Sequence, residues 1–140
     1  MATIYLLRGL PGSGKSTRAA ELHAETGAEI VNRDSLRMAL HGVWWSGDND
    51  KEAEVTFYER SLVVDNLKNG RSVIIDATNL VAEYAAEWYK LAKQYGAVVE
   101  PVIMNTDVET CIERDNARAA RGERAVGEAV IRRMAERLLA

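Results

Sequence analysis

Four short stretches of the chain are apolar without alternation: residues 4–7, 29–32, 72–75 and 97–104. Runs of this kind, bounded by polar turns, predict parallel strands buried on both faces rather than half-exposed ones. Pro101 interrupts the fourth. Between and after these runs, apolar positions recur at helical spacing over residues 15–26, 34–41, 51–69, 81–95, 108–117 and 128–139. Gly27, Gly42, Gly70 and Gly96 follow four of these segments, where a left-handed residue commonly ends a helix. Within 51–69, Val55, Tyr58, Leu62 and Val63 are expected on one face. Residues 42–50, Gly-Val-Trp-Trp-Ser-Gly-Asp-Asn-Asp, form the longest expected loop. Strands alternating with helices predict an α/β fold, with a central parallel sheet of about four strands flanked by helices through right-handed crossovers. No repeat or linker interrupts the pattern, so residues 1–140 read as a single domain.

Composition narrows the picture. A chain of 140 residues that is 47% hydrophobic and 28% charged is an ordinary globular one. A net charge of -3 excludes a general coat for nucleic acid but leaves room for a local basic site. Beyond Asp107 there are seven arginines (Arg114, Arg118, Arg121, Arg124, Arg132, Arg133, Arg137) and no lysine. Cys111 is the only cysteine, and no Cys/His cluster suggests zinc. The four-residue apolar run near Met1 is too short for a signal or a membrane span, so a cytoplasmic protein with no membrane partner is expected.

The segment Gly9-Leu10-Pro11-Gly12-Ser13-Gly14-Lys15-Ser16-Thr17 fits the pattern G-x-x-x-x-G-K-S/T, with a strand before it and a helix after it. Small residues let backbone N–H groups converge on a triphosphate, and the helix N-terminus adds free donors and partial positive charge. Gly9, Gly12, Ser13, Gly14, Lys15, Ser16 and Thr17 are therefore expected to bind the nucleotide, ATP. Lys15 reaches the β- and γ-phosphates and the Ser16 hydroxyl coordinates Mg²⁺. A dinucleotide fingerprint is excluded, because Lys15-Ser16-Thr17 stands where its third glycine belongs.

The other strand ends indicate transfer over hydrolysis. The third strand closes on Asp76 alone and not on an Asp-Glu pair, and Asn105-Thr106-Asp107 is not a guanine reader. After the second strand comes Asn32-Arg33-Asp34-Ser35-Leu36-Arg37. Asp34 there is either a general base for an acceptor hydroxyl or simply a helix N-cap. Arg37, three residues on, shares its helix face and could hold an acceptor phosphate. The arginines of residues 114–124 are either a mobile lid that closes over the nucleotide or a solvated helix face.

Taken in order, these motifs resemble the small P-loop kinase family typified by the kinase domain of phage and bacterial polynucleotide 5′-hydroxyl kinases. The likeness rests on the P-loop, on Asn32-Arg33-Asp34 with Arg37, on Ile75-Asp76-Ala77-Thr78-Asn79-Leu80, on Ala92-Lys93-Gln94-Tyr95-Gly96 and on the arginine-rich segment. It implies catalytic roles for Lys15, Asp34, Arg37 and a lid arginine. It also implies acceptor contacts from Arg33, Asp34, Arg37, Asp76, Thr78 and Asn79, with the 5′-hydroxyl end of DNA or RNA as acceptor. Two departures stand out. The family has Asp immediately before Thr-Asn, whereas here Ala77 stands there and Asp76 precedes it. One residue on a strand reverses the side chain's face, so Asp76 serves either Mg²⁺ and the P-loop or, if the strand ends early, the acceptor. The lid arginine is Arg121 counted back from Ala125-Val126 and Arg118 counted forward from Arg114, with Arg121 preferred.

Three functions stay open: an end kinase of polynucleotides, a kinase of a small hydroxylated molecule such as a nucleoside, sugar or antibiotic, and a nucleotide-hydrolysing switch. Trp44 and Trp45 are either stacking platforms for a base or packing residues. His41 has no evident partner and reads as structural.

Overall fold

The computed structural model describes residues 1–139. Its elements are β1 Thr3–Arg8, α1 Lys15–Thr26, β2 Glu29–Asn32, α2 Arg33–His41, α3 Asn49–Lys68, β3 Val73–Asp76, α4 Ala82–Gln94, β4 Val98–Ile103, α5 Val108–Ala120 and α6 Glu128–Leu139. The four strands run parallel in the order β2-β3-β1-β4. Ile4, Leu6, Val31, Val73 and Ile75 pack on one face against Val63 and Leu67 of α3 and Trp88, Leu91 and Ala92 of α4. Leu7 and Ile74 face the other way, onto Ala19 and Leu22 of α1. Each aliphatic side chain so buried contributes roughly 1.5–3 kcal/mol. This two-sided burial is the reason β1 and β3 read as unbroken apolar runs.

The order places β1 between β3 and β4. The chain leaving β1 crosses to β2 on one side, and the chain leaving β3 reaches β4 on the other. That reversal opens a crevice beyond the carboxyl ends of β1 and β3, the usual ligand position in such sheets. A third cluster, with Leu10, Leu80, Cys111, Ile112 and Ile131, packs α5 and α6 against the flank of the crevice.

Five expectations need correction. β2 and β4, expected to be buried on both faces, are the edge strands of the sheet, with Val31 the one buried residue of β2 and none buried in β4. The third strand ends one residue later than its apolar run, so Asp76 is its last residue and pairs in register with Asn32. Helix α3 begins earlier than expected because Asp48 caps it, accepting from the backbone N–H groups of Asp50 (2.8 Å) and Lys51 (3.2 Å). The 42–50 loop is correspondingly shorter. On α3 the buried residues are Val55, Glu59, Val63, Asn66 and Leu67, while Tyr58 is 46% exposed. Finally, α5 continues through Ala120, so Arg114 and Arg118 stand on a helix and only residues 121–127 connect it to α6. The alanines of that stretch are strong helix formers, which is why a segment expected to be a lid is largely helical. His41 lies 3.5 Å from the Glu54 carboxylate, a partner its neighbours in sequence did not reveal. Among the described residues, no helix is long and apolar enough to cross a membrane.

Candidate active site

The loop from Gly9 to Gly14 joins β1 to α1. Gly14 opens α1 at φ 96 with no side-chain cap, and the first turn carries no acidic residue, so its N–H groups remain available to an anion. Gly12 also has positive φ, and a Cβ there would meet the Cys111 carbonyl oxygen at 2.6 Å, so both backbone angle and space require glycine. Lys15 Nζ donates to the carbonyls of Gly9 (3.0 Å) and Leu10 (2.8 Å). Burial lowers its pKa to about 8, against the opposing attraction of Asp76. Ser13 is buried in the loop, with its Oγ unpartnered. Thr17 stands exposed on the first turn of α1.

Ser16 Oγ donates to Asp76 Oδ2 at 3.2 Å, and Asn32 Nδ2 donates to the same oxygen at 3.0 Å. Asp76 therefore faces the P-loop serine and the cap residue Asn32. A hydroxyl backed by a carboxylate suits Mg²⁺, which takes few protein oxygens and completes its shell with phosphate and water. No group of three or more His, Cys, Asp or Glu side chains gathers for a metal among the described residues. Beyond Asp76, the Thr78 carbonyl accepts from Gly9 N (3.2 Å). Asn79, at φ 50, is buried and donates to the Leu7 carbonyl at 2.6 Å, bracing the ends of β1 and β3.

At the end of β2, the cap of α2 is Asn32, whose Oδ1 accepts from Ser35 N at 2.8 Å. The N-cap reading of Asp34 is thereby overturned, and its carboxylate is free for side-chain partners. Oδ1 accepts from Arg37 Nη1 at 2.7 Å, and Oδ2 lies 3.3 Å from Arg124 Nε. Arg37 is held from behind by Glu52, through Nε to Oε2 (2.9 Å) and Nη2 to Oε1 (2.8 Å). This hydrogen-bonded pair pushes the Glu52 carboxyl below and the Arg37 guanidinium above their ordinary pKa values. Arg33, expected at the acceptor, turns instead to α3, donating to Glu59 (2.8 Å), Glu52 (3.2 Å) and Thr56 (3.2 Å). Burial raises the Glu59 carboxyl despite that arginine.

The arginines of α5 separate by position. Arg114 Nη1 donates to the Gly12 carbonyl at 3.1 Å. Arg118 Nη2 lies 3.2 Å from where a Gly12 Cβ would stand, and its Nε is buried without a partner. Arg121 instead pairs with Glu123 through two contacts of 3.1 Å, with its side chain 57% exposed. Buried Asp115 accepts from Val126 N (3.0 Å) and Gly127 N (2.9 Å), fixing the connection that carries Arg124.

Sequence reasoning missed Glu52 and Asp115, and placed Arg124 only within the arginine-rich segment, without its tie to Asp34. Each sits in a mixed-charge stretch that reads as solvated surface, and only their partners on other elements distinguish them.

Most of these groups, Lys15, Ser16, Asp34, Arg37, Asp76 and Arg118 among them, line one cleft of about 2050 Å³, roughly twice the upper range for a single small ligand. Eleven basic and six acidic side chains border it, in a chain whose net charge is -3. The charge distribution and volume suit two anionic substrates side by side.

The AAA domain family profile matches residues 4–139. A protein of Autographa californica nuclear polyhedrosis virus, described as a bifunctional polynucleotide kinase/RNA ligase, is 28% identical over 131 residues; the match covers 83% of this chain and 18% of that protein. A chain in the structure of the Pnkp1/Rnl/Hen1 RNA repair complex superposes with a TM-score of 0.88 at 27% identity, covering 99% of this chain and 44% of its own. A gluconokinase from Sinorhizobium meliloti 1021 shares the fold, with a TM-score of 0.64 at 17% identity over 98% of this chain and 74% of its own. The chain thus spans less than half the length of the first two relatives.

Proposed function

This chain is a P-loop kinase domain belonging to the AAA domain family, and we propose that it transfers the γ-phosphoryl group of ATP to the 5′-hydroxyl end of a polynucleotide. The observation that carries this reading is the Asp34 carboxylate, relieved of capping by Asn32 and paired with Arg37 in the cleft that holds Lys15. The likeness of nearly all of this chain to part of a chain in an RNA repair complex supports the choice of acceptor. So does a cleft rich in arginine, the side chain best shaped for phosphate.

In this mechanism the backbone donors of the P-loop and of the first turn of α1 cradle the triphosphate. Lys15 exchanges its two carbonyl partners for the β- and γ-phosphate oxygens. Arg37, its guanidinium fixed by Glu52, holds the phosphate next to the terminal acceptor sugar. Asp34 accepts the 5′-hydroxyl proton as that oxygen bonds to the γ-phosphorus and the bond to the ADP oxygen breaks in line. Arg118, already against the P-loop with an unpartnered Nε, meets charge on the departing diphosphate, with Arg121 as the second candidate. Ser16, with Asp76 behind it, would hold Mg²⁺, and the ion would supply neutralisation of the phosphate charge there.

The test is an acceptor panel with γ-labelled ATP and Mg²⁺: single strands of DNA and RNA with 5′-hydroxyl ends, nucleosides, and gluconate. Label on the strands alone is expected. Label on a nucleoside or on gluconate alone would establish the small-molecule reading instead, and release of free phosphate with no labelled acceptor would favour the hydrolytic switch.

A further inference from the structure

Two adjacent tryptophans project from the connection between α2 and α3, and neither is buried: Trp44 is 44% and Trp45 63% exposed. Water contact over indole surface costs about 25 cal/mol per Å², so two such side chains in one short loop suggest a ligand. The loop is tied at both ends. Gly42 ends α2 in the left-handed region at φ 69, and Asp48 caps α3 while its N–H bonds to Ser46 Oγ at 3.1 Å. Trp45 is therefore held by a short, anchored connection.

Its neighbour gives the exposure a direction. The Arg37 guanidinium lies over the Trp45 ring, 5.3 Å from the centroid, while the same guanidinium bonds Asp34 and Glu52. Both tryptophans line the cleft that contains Lys15 and Asp34. The arginine assigned to the acceptor phosphate thus stacks on an aromatic plane that remains mostly open. A nucleotide whose phosphate meets Arg37 carries a flat base one sugar away, within reach of that plane.

We infer that Trp45, flanked by Trp44, is the stacking platform for the nucleobase at the 5′-terminal end of the acceptor strand. The inference rests on the end-kinase reading above and adds a subsite to it. Stacking recognises a π-face and no particular hydrogen-bond edge, so the platform accepts all four bases and requires an unpaired end. A small acceptor without an aromatic ring gains nothing from it.

The experiment measures fluorescence anisotropy of 3′-fluorescein single strands with 5′-hydroxyl ends, in DNA and RNA form, with a non-hydrolysable ATP analogue present. Each strand is made with a normal or an abasic first nucleotide, and each is bound to the wild type, Trp45→Ala and Trp45→Phe. Trp45→Ala is expected to weaken binding of the normal strand about tenfold, and Trp45→Phe to retain most of the affinity. The abasic end should cost the wild type a similar factor and cost Trp45→Ala nothing more. The comparison of normal with abasic ends on the wild type needs no variant, so it stands even if Trp45→Ala folds poorly. Equal binding of normal and abasic ends by the wild type, equal losses for both ends in Trp45→Ala, or no binding of either strand overturns the inference. Base-dependent binding by a protein that labels no strand in the acceptor panel with γ-labelled ATP would retire the end-kinase reading and keep the platform. Labelling of strands in that panel with no dependence on Trp45 would do the reverse.

Discussion

Arg124 Nε lies 3.3 Å from Asp34 Oδ2, joining the connection after α5 to the first turn of α2 across the mouth of the cleft. Buried Asp115 makes this possible by holding the Val126 and Gly127 N–H groups, so the backbone carrying Arg124 has a fixed course. The segment expected to act as a lid also extends Arg124 to the proposed base.

Arg124→Ala should therefore weaken the acceptor side selectively. The pair is partly exposed, so the loss of fold stability should be below about 1 kcal/mol. If Arg124 meets an acceptor phosphate, KM for a 5′-hydroxyl strand should rise several-fold with KM for ATP unchanged. The slope of log affinity against log salt should become shallower by about 0.7. An equal loss for ATP and acceptor would assign Arg124 to the nucleotide instead.

Glu52 makes two charge-assisted bonds to Arg37 and none to a proposed substrate group, which makes it a positioning residue. Glu52→Gln should lower kcat/KM for the acceptor by about tenfold or more while ATP binding is kept, because a preorganised guanidinium is lost. Arg37 also depresses the Glu52 carboxyl. Its contribution to stability is therefore present above the ordinary carboxylate range, near pH 4.3, and is lost as pH falls through the lower folded value. Urea melts of wild type and Glu52→Gln should converge on acidification.

The order of these elements was legible because each signal was local. Burial on both faces left unbroken apolar runs for β1 and β3, and the P-loop announced itself through glycines whose backbone angles no other residue adopts easily. The partners at the proposed acceptor site were not local. Asn32 displaced Asp34 as cap because the strand-to-helix turn falls two residues earlier than Asp34, a shift within the ordinary uncertainty of element ends. Arg33 and Arg37 are alike in sequence and both bond Glu52 on α3, yet only the first also reaches Glu59 and only the second Asp34, a choice made by tertiary packing.

The exchange of caps has a measurable consequence. Asn32→Ala removes the α2 cap and a bond to Asp76, and should cost about 1–2 kcal/mol in a thermal or urea melt. Asp34→Asn should change stability by less than about 1 kcal/mol, because its two arginine partners are partly exposed. A larger loss for Asp34→Asn than for Asn32→Ala would contradict this assignment.

Lys15 gives nucleotide binding a pH signature. Its pKa of about 8 in the free protein, against 10.5 ordinarily, follows from burial, and a triphosphate in the cradle favours the charged form. Above pH 8 the free lysine has lost the proton that the complex keeps, so binding takes one up and affinity falls as pH rises. Calorimetry at pH 9 in two buffers of different ionisation enthalpy should report that proton, and Lys15→Met should abolish it. A pH-independent affinity between 7 and 9 would place Lys15 away from the phosphates.

The central claim, that Asp34 activates a 5′-hydroxyl end toward ATP, is tested most directly by label transfer. Wild type and Asp34→Asn are each given γ-labelled ATP, Mg²⁺ and a single strand with a 5′-hydroxyl, beside the same strand already 5′-phosphorylated. The account predicts label only on the hydroxyl strand with the wild type, and loss of transfer by Asp34→Asn while nucleotide binding persists. Near-normal transfer by a folded Asp34→Asn, or label on neither strand with the wild type, would contradict it.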